Sequence, residues 1–372
     1  MKSANSTFPF LEAASELQLT RIASWPRLRV LAWHGEVLYA SRGYTLLRGV
    51  PADPQIPWST VGYFNPAWWR RFSSSGRLTS RLCRDGFHGL VALSSGHLVA
   101  AVPGAVITLA PGNEEFKVTH RVDRGTRPLN LTVTNRDWVF WGEYFDNAGR
   151  DEVSIYGSQE RGERWEVVHT FPKGTVRHVH NIVYDRWEDC LWVLTGDYGN
   201  ECKIIRASCN WKDMDVVLSG DQKTRAVALV PTREALYFAS DTPLEANYIY
   251  RLDRSGALRR IATISGSSFY GCRAGDALFF STAVEPSQVN HDRNVHLYGS
   301  LGGRSWSSFL AWPKDRWPMR LFQYGNAVLP TGDNATDMLA LSCVAVEGDD
   351  LQTTLWRIID PAERGQIGSS VI

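Results

Sequence analysis

The fold is decided by one stretch of the sequence, Tyr156-Gly157-Ser158-Gln159-Glu160-Arg161-Gly162-Glu163-Arg164-Trp165. It lies between residues 153–156 and residues 165–168, two runs in which apolar and polar side chains alternate. Alternation with a period of two indicates strands, and a serine, an acid and a glycine between strands indicate a tight turn. We expect the hydroxyl of Ser158 and the carboxylate of Glu160 to accept hydrogen bonds from N–H groups of the turn, and the tryptophan to pack back across the hairpin.

The composition indicates a globular protein without a strongly charged partner. The 372 residues carry a net charge of +1, so no excess charge favours nucleic acid or an anionic membrane. Residues 1–19 lack the pattern of a secretory signal, and no apolar run approaches the roughly 20 residues that span a bilayer. Six scattered cysteines include no Cys-x-x-Cys pair, which argues against structural zinc and favours buried thiols over a disulfide framework. We therefore predict a cytoplasmic protein.

A pattern of four short strands repeats along the chain. In the fifth copy these strands, which we name A to D, are residues 225–230, 235–241, 248–252 and 258–264. The third and fourth copies have the same order, and an arginine at the start of strand A recurs after 50 and then 48 residues. Four antiparallel strands at such a spacing are typical of the blades of a β-propeller.

The repeats predict an all-β protein with a single β-propeller at residues 25–360. We expect seven blades of four antiparallel strands, with six as the alternative because the first copy is irregular. Residues 1–24 form an N-terminal segment in which residues 16–24 add a strand that closes the ring, and residues 361–372 form a C-terminal tail. Two all-β domains of about 180 residues each are the structural alternative.

The geometry of the strands predicts a site at one mouth of the central channel. Strand A lines the channel and runs antiparallel to strand B, so the start of A and the end of B lie at the same mouth. In the third to fifth copies these positions hold arginines and carboxylates, namely Arg127, Arg177 and Arg225, and Glu143, Asp197 and Asp241. The alternative is that each arginine pairs with a neighbouring carboxylate and only stabilises the ring.

Two histidines lie at the start of strand A in the fourth copy. His178 and His180 share one face of this strand, so we expect both at the channel beside Asp197. Histidines at this spacing can bind a metal or carry protons, and a metal needs a third ligand such as Asp197, Glu201 or His88. The alternative is a pair of hydrogen-bonded histidines that fill a polar channel. We predict no metal and no cofactor.

The turn at residues 156–165 resembles the Asp-box of the sialidase-type β-propellers, with Glu160 where the family has aspartate. Ser208 and Ser300 begin two degraded copies of the box. The box itself does no chemistry, so the resemblance implies a propeller and directs attention to its channel mouth. Boxes of this kind occur in sialidases, in other glycan-cleaving propellers and in non-catalytic binding proteins.

The resemblance also implies a way to bind an acidic sugar. Sialidases hold a substrate carboxylate with three arginines, activate a tyrosine with a glutamate and use an aspartate as the acid. The repeated arginines of this chain are similar in number. Tyr144 beside Glu143, and Tyr270, are candidates for the tyrosine, whereas the family's Arg-Ile-Pro element appears only as Arg21-Ile22-Ala23.

The leading hypothesis is a carbohydrate-active hydrolase for an acidic sugar or a bacterial polysaccharide. Its reaction needs one protonated and one ionised carboxylate, for which we choose Asp197 and Glu143, with Asp241 in reserve. The residues expected to bind the oligo- or polysaccharide are Arg127, Arg177, Arg225, His178, His180, Tyr144 and Tyr198. The alternatives are a non-catalytic propeller that binds a glycan or a protein, and a metal-dependent polysaccharide lyase or hydrolase that uses the two histidines.

Overall fold

Small antiparallel sheets in a propeller arrangement make up the fold, which confirms the all-β prediction. The computed structural model describes residues 17–51, 57–74 and 76–359. The strands in these ranges are β1 (Gln18–Pro26), β2 (Arg29–Gly35), β3 (Val37–Arg42), β4 (Thr45–Gly49), β5 (Ser59–Tyr63), β6 (Gly89–Ala92), β7 (Leu98–Val102), β8 (Ala105–Leu109), β9 (Lys117–Arg121), β10 (Thr132–Val133), β11 (Val139–Gly142), β12 (Val153–Ser158), β13 (Glu166–Phe171), β14 (His178–Asp185), β15 (Cys190–Gly196), β16 (Lys203–Ser208), β17 (Met214–Ser219), β18 (Ala226–Pro231), β19 (Ala235–Ser240), β20 (Asn247–Asp253), β21 (Leu258–Ile264), β22 (Ser268–Ala274), β23 (Ala277–Val284), β24 (Asn294–Leu301), β25 (Ser307–Pro313), β26 (Gly325–Val328), β27 (Thr331–Asn334), β28 (Met338–Val344) and β29 (Gln352–Ile359). The helical segments are α1 (Trp68–Ser73), α2 (Arg77–Cys83) and the 3₁₀ turns Gly199–Glu201 and Gln222–Thr224.

Five of the sheets are separate blades. Written in hydrogen-bonded order, they are β27-β2-β3-β4-β5, β6-β7-β8-β9, β10-β11-β12-β13, β14-β15-β16-β17 and β18-β19-β20-β21. An eight-stranded sheet follows the order β1-β29-β28-β26-β23-β24-β25, with β22 paired to β23. The predicted count of seven blades, or of six, is therefore wrong: five blades are separate, and the remaining strands form one larger sheet.

The larger sheet forms because β23 is long. Its residues 277–281 pair with β24 in the usual way, but the strand continues for three more residues. Ala283 and Val284 then pair with Asn326 and Gly325 of the neighbouring inner strand, β26. This extension joins the two meanders that the sequence predicts as separate sixth and seventh blades.

Strand β1 pairs with the last described strand of the chain. It runs antiparallel to β29, from Gln18 opposite Ile359 to Pro26 opposite Gln352. Residues 1–16 and the predicted tail at residues 361–372 lie outside the described residues. The two ends of the described chain therefore meet in one sheet.

The apolar core lies between neighbouring blades. Every residue of β15, β23 and β28, the second strands of their meanders, is buried. Phe140 and Ile155 of one blade share a cluster with Val179 and Leu191 of the next blade. All six cysteines are free thiols, and four of them are buried. Because the blades pack face to face, the centre of the ring stays open as a channel.

The turn between β12 and β13 is held by its serine and its tryptophan. The Ser158 hydroxyl accepts a hydrogen bond from the N–H of Gly162 (2.9 Å), and the indole N–H of Trp165 donates to the Gly162 carbonyl (3.1 Å). The carboxylate of Glu160 instead lies 3.6 Å from the exposed Arg164. The acid of the predicted motif thus points to solvent, and the serine caps the turn.

We expect Gly162→Ala to lower the free energy of unfolding by about 3 kcal/mol. Gly162 has φ +79°, and an added Cβ would lie 2.4 Å from Cγ2 of Val99 in the neighbouring blade, so left-handed strain and overpacking combine. Gly174→Ala is the matched control, because Gly174 also has a positive φ (+86°) but no atom within 4 Å of an added Cβ. Urea unfolding of both variants measures the difference, and equal stabilities would contradict the close packing.

Two short helices that the strand pattern does not predict lie between β5 and β6. Arg81 of α2 is fully buried, with its Nη1 atom 2.7 Å from Asp315 and 3.1 Å from Asp350. Its guanidinium carbon lies 4.9 Å from the ring centre of Trp317. These contacts fix α2 against the larger sheet. Within the described ranges, no helix is long and apolar enough to cross a bilayer.

Candidate active site at the channel mouth

The inner strands of the blades surround a channel of about 920 Å³. Residues of β2, β6, β10, β14, β18 and β22 line it. Residues near the starts of the inner strands and the ends of the second strands contribute polar and charged side chains: Arg29, Arg84, His88, Arg127, Tyr144, His180, Arg225, Asp241, Tyr270 and Glu285. We call this end of the channel the charged mouth.

Asp197 is the centre of an ion-pair network at the charged mouth. Its Oδ2 atom lies 3.2 Å from Nη1 of Arg177, and its Oδ1 atom lies 3.3 Å from Nη2 of Arg225. The same Oδ1 atom lies 3.1 Å from Nε2 of His180. Burial acts to raise the pKa of Asp197, but His178, His180 and Arg225 outweigh it and hold the pKa well below the usual range. Asp197 is therefore ionised.

Two further carboxyl groups lie beside this network. Asp241 is buried, its Oδ2 atom lies 3.4 Å from Nε of Arg225, and its Oδ1 atom has no hydrogen-bond partner. Burial raises the pKa of Asp241. Glu285 accepts a hydrogen bond from the Ser267 hydroxyl, and burial, with Asp241 adding to the effect, raises its pKa to about 7. The mouth thus combines an ionised carboxylate with a carboxyl group that exchanges its proton near neutral pH.

Sequence reasoning missed Glu285. The prediction required both an arginine at the start of the inner strand and a carboxylate at the end of the second strand, and this unit has only the carboxylate. Glu285 follows the last residue of β23, as Asp197 follows β15 and Asp241 follows β19. Because β23 is longer, the register makes Ala283 the counterpart of Asp241, and Glu285 lies two residues further along the chain. The requirement for an arginine at the start of the inner strand excludes this unit, because β22 begins at Ser268. The ends of the second strands, taken alone, are the signal that identifies Glu285.

Glu143 does not line the channel, and the structure does not bring it to Asp197. Its Oε1 atom lies 2.9 Å from Nε of Arg124, and its Oε2 atom accepts a hydrogen bond from the N–H of Ser154 (2.7 Å). The Arg124 guanidinium and the backbone of β12 hold the side chain within its own blade. The predicted pairing of Glu143 with Asp197 as acid and base is corrected accordingly.

Two of the three predicted arginines hold carboxylates. Arg177 pairs with Asp146 (2.8 Å) as well as with Asp197, and Arg225 pairs with both Asp197 and Asp241. For these two residues the arrangement matches the alternative in which the arginines pair with neighbouring carboxylates. They fix the carboxylates of the charged mouth in place.

The third predicted arginine, Arg127, belongs to a different group. We call this group the arginine wall, and it consists of Arg29, Arg84 and Arg127. Among the described residues, none of the three forms an ion pair with a carboxylate, and Nε of Arg29 is buried without a hydrogen-bond partner. Burial, with Arg29 adding to the effect, lowers the pKa of Arg127 to about 10. Clustered guanidinium groups without counter-charges are suited to bind an anion.

Both predicted histidines face Asp197. The Nε2 atoms of His178 and His180 are 3.1 Å apart, and Nε2 of His178 lies 3.4 Å from Oδ1 of Asp197. On the other side of each ring, Nδ1 of His178 is 3.3 Å from the carbonyl oxygen of Phe145, and Nδ1 of His180 is 3.0 Å from that of Ala226. Burial lowers the pKa of His178.

The other two residues considered as a third metal ligand lie elsewhere. Glu201 pairs with Arg150, with 2.6 Å between Oε1 and Nε. His88 lies beside the arginine wall, where burial, together with Arg127, lowers its pKa well below the usual value. Of the three predicted partners, only Asp197 meets the histidine pair.

The predicted tyrosines lie at different depths. Tyr144 lines the channel and packs on His178, with 4.2 Å between ring centroids. Burial, with Asp197 adding to the effect, raises the pKa of Tyr144 to about 12, so its hydroxyl keeps its proton. Tyr198 is exposed, and its ring centre lies 5.9 Å from the guanidinium carbon of Arg177.

A second cavity of about 780 Å³ adjoins the charged mouth beside α1 and α2. Arg29, Arg84 and His88 line both cavities. The other charged residues in its wall are Arg27, Arg42, Arg71, Arg77 and Asp85. Of these arginines, Arg77 pairs with Asp350, with 2.7 Å between Nε and Oδ2.

Comparisons with known proteins identify the fold and nothing narrower. No protein-family model matches the chain, and no curated protein sequence matches it. The chain is similar to the WD40 β-propeller domain of Doa1, with a TM-score of 0.54 and 11% identity over 91% of this chain and 96% of that one. It is also similar to a chain of the mitotic checkpoint complex, with a TM-score of 0.53 and 12% identity over 97% of this chain and 100% of that one.

A third similar structure is a GH74 xyloglucanase from Xanthomonas campestris. The TM-score is 0.51 and the identity 16%, over 79% of this chain and 47% of that one. At identities this low, the likeness shows a β-propeller fold alone, because the same fold carries many functions. It does not distinguish the sialidase type from other propellers.

Proposed function

We propose that the protein hydrolyses glycans that contain acidic sugars, and that the charged mouth is its active site. The observation that carries this proposal is that one channel is lined both by the arginine wall and by buried or half-buried carboxyl groups. The arginine wall has no carboxylate partners among the described residues, Asp241 and Glu285 line the same channel, and Asp197 is joined to Asp241 through Arg225. Convergent polar groups at a cavity of this size are typical of a substrate site.

The carboxyl groups meet the needs of glycoside hydrolysis. Glu285, whose pKa is about 7, protonates the leaving oxygen, and the ionised Asp197 activates the attacking group or attacks directly. Asp241 interacts electrostatically with both of these residues. The pair Asp197 and Glu285 thus replaces the pair Asp197 and Glu143.

The arginine wall supplies the preference for an acidic sugar. A guanidinium group binds a carboxylate through two parallel hydrogen bonds, and Arg127 is half-buried in the channel wall, which strengthens the attraction. The likeness to a xyloglucanase is compatible with a carbohydrate-active enzyme, and at 16% identity it supports the fold only.

The test is hydrolysis of a glycoside panel that contains sialosides, uronides and their neutral counterparts. Native protein is compared with Asp197→Asn and Glu285→Gln, and circular dichroism checks that all three are folded. We expect turnover of an acidic glycoside by native protein alone. If folded native protein turns over no glycoside but binds glycans as well as both variants do, the proposal fails and the non-catalytic binding propeller takes its place.

We expect Arg127→Ala to raise KM for an acidic substrate by about 10- to 100-fold with little change in kcat, because it removes a charged hydrogen bond to bound substrate worth about 1.5–3 kcal/mol. The matched control is Arg136→Ala, whose residue pairs with the exposed Asp189 at 2.6 Å and does not line the charged mouth. KM and kcat are measured by steady-state kinetics on an acidic and a neutral substrate. An equal loss on both substrates would contradict a role in binding the acid.

A further inference from the structure

Three atoms with lone pairs converge between the histidine pair and Asp197. They are Nε2 of His178, Nε2 of His180 and Oδ1 of Asp197, and their separations are 3.1, 3.1 and 3.4 Å. All three side chains are buried. The atoms are therefore as close as hydrogen-bond partners, away from bulk water.

The backbone decides which histidine nitrogens carry hydrogen. Nδ1 of His178 faces the carbonyl oxygen of Phe145, and Nδ1 of His180 faces that of Ala226. A carbonyl oxygen only accepts hydrogen bonds, so both Nδ1 atoms are the donors. In two neutral rings, both Nε2 atoms then present lone pairs to each other and to the carboxylate. Arg177 and Arg225 compensate the charge of the carboxylate, but the two facing Nε2 lone pairs repel each other unless a positive charge lies between them.

We propose that His178, His180 and Asp197 bind a divalent transition metal, with zinc as the best match. Bonds of about 2.0–2.1 Å to nitrogen and oxygen place tetrahedral ligands about 3.3 Å apart, which agrees with the three separations. The backbone carbonyls orient the rings through the Nδ1 hydrogens, as outer partners do at zinc sites. Three protein ligands leave a fourth position open, as in catalytic zinc sites.

Asp241, close enough to interact with this group, carries an oxygen without a partner among the described residues. It is buried, and its Oδ1 atom has no hydrogen-bond partner. It interacts electrostatically with His180 and Asp197, and both Asp241 and His180 line the channel. A water molecule on the open position of the metal would donate a hydrogen bond to such an oxygen.

A second group of possible ligands, Asp185, Glu188 and Cys190, lacks this pattern. Asp185 accepts hydrogen bonds from the N–H of Trp187 and from the indole N–H of Trp192, and it pairs with Arg254. Asp197 is likewise paired with Arg177 and Arg225, so what the second group lacks is a pair of facing histidine nitrogens. Comparison of the two groups shows that closely spaced ligand atoms are not by themselves sufficient to identify a metal site.

The metal site goes beyond the proposed hydrolase and can be tested without it. While Asp197 binds the metal it is not free to act as the base or nucleophile, so the direct role proposed for Asp197 applies to the metal-free protein. Zinc chloride or cobalt chloride alone is titrated into chelator-treated, dialysed full-length protein, by calorimetry and by cobalt d–d absorption respectively. We expect one equivalent bound, a tetrahedral cobalt spectrum, and affinity about 100-fold or more weaker in His180→Ala. The matched control is His169→Ala, because His169 packs on Phe171 outside the channel.

Failure of this site and failure of the proposed hydrolase are distinguishable. No stoichiometric binding by the folded native protein, or binding that His180→Ala leaves unchanged, overturns the metal site. Glycoside turnover that survives chelation then remains compatible with the proposed function. Metal binding without any glycoside turnover supports the metal site and contradicts the proposed hydrolase function.

Discussion

Asp197→Asn lowers kcat on an acidic glycoside by about 1,000-fold or more. The change keeps the shape of the side chain but removes the negative charge on which Arg177, Arg225 and His180 converge. Loss of a positioned acid or base costs about 100- to 10,000-fold, and this carboxylate also holds its neighbours in place. Initial rates under saturating substrate, with circular dichroism to check folding, give the measurement.

Glu143→Gln is the informative comparison for this variant. Glu143 pairs with Arg124 and accepts a hydrogen bond from Ser154 within its own blade, so its loss affects stability and leaves the charged mouth intact. We expect kcat to stay within a few-fold of native. Equal losses in the two variants would contradict the placement of Glu143 and restore the pair that the sequence predicts.

Glu285→Gln is expected to lower kcat/KM by about 100-fold or more and to abolish the fall in activity on the basic side of the pH profile. Because the pKa of Glu285 is raised to about 7, the direction in which activity changes with pH is defined. A general acid works only while protonated, so native activity is high below about pH 7 and falls as the pH rises through that value.

Several groups that face Glu285 set its pKa. Burial raises it most, Asp241 and Asp197 raise it further, and the Ser267 hydroxyl and Arg225 oppose them. The measurement is kcat/KM across the neutral range for native protein, Glu285→Gln and the exposed control Glu234→Gln. A basic limb that persists unchanged in Glu285→Gln would assign the titrating group to another residue.

The blade count shows which features of the fold local sequence patterns can predict and which they cannot. Alternation and turn residues correctly give an all-β propeller, because they depend on neighbours along the chain. They do not reveal that β23 extends past β24 and pairs with β26, since that pairing depends on how close two adjacent inner strands come. The helices α1 and α2 were missed for a similar reason, because tertiary contacts such as that of Arg81 with Asp315 hold them.

The candidate site shows the same division. The rule of strand starts and ends predicts Arg127, Arg177, Arg225, Asp197 and Asp241 near one mouth. In the structure Arg127, Arg225 and Asp241 line the channel, and Asp197 and Arg177 are joined to Arg225 by ion pairs. The rule could not predict which arginine forms an ion pair with which carboxylate. Arg127 interacts with Arg29, at the start of β2, and with Arg84, which follows α2, whereas Arg177 and Arg225 hold carboxylates.

The sequence by itself determined the propeller architecture and the end of the channel at which charged residues collect. Both follow from strand period and strand direction, which are set by hydrogen bonding and side-chain alternation over short distances. Only the tertiary structure decided that Glu285 joins Asp197 and Glu143 does not. Which charged side chains pair depends on the distances and directions between neighbouring blades. Those distances and directions are fixed only when the ring is assembled.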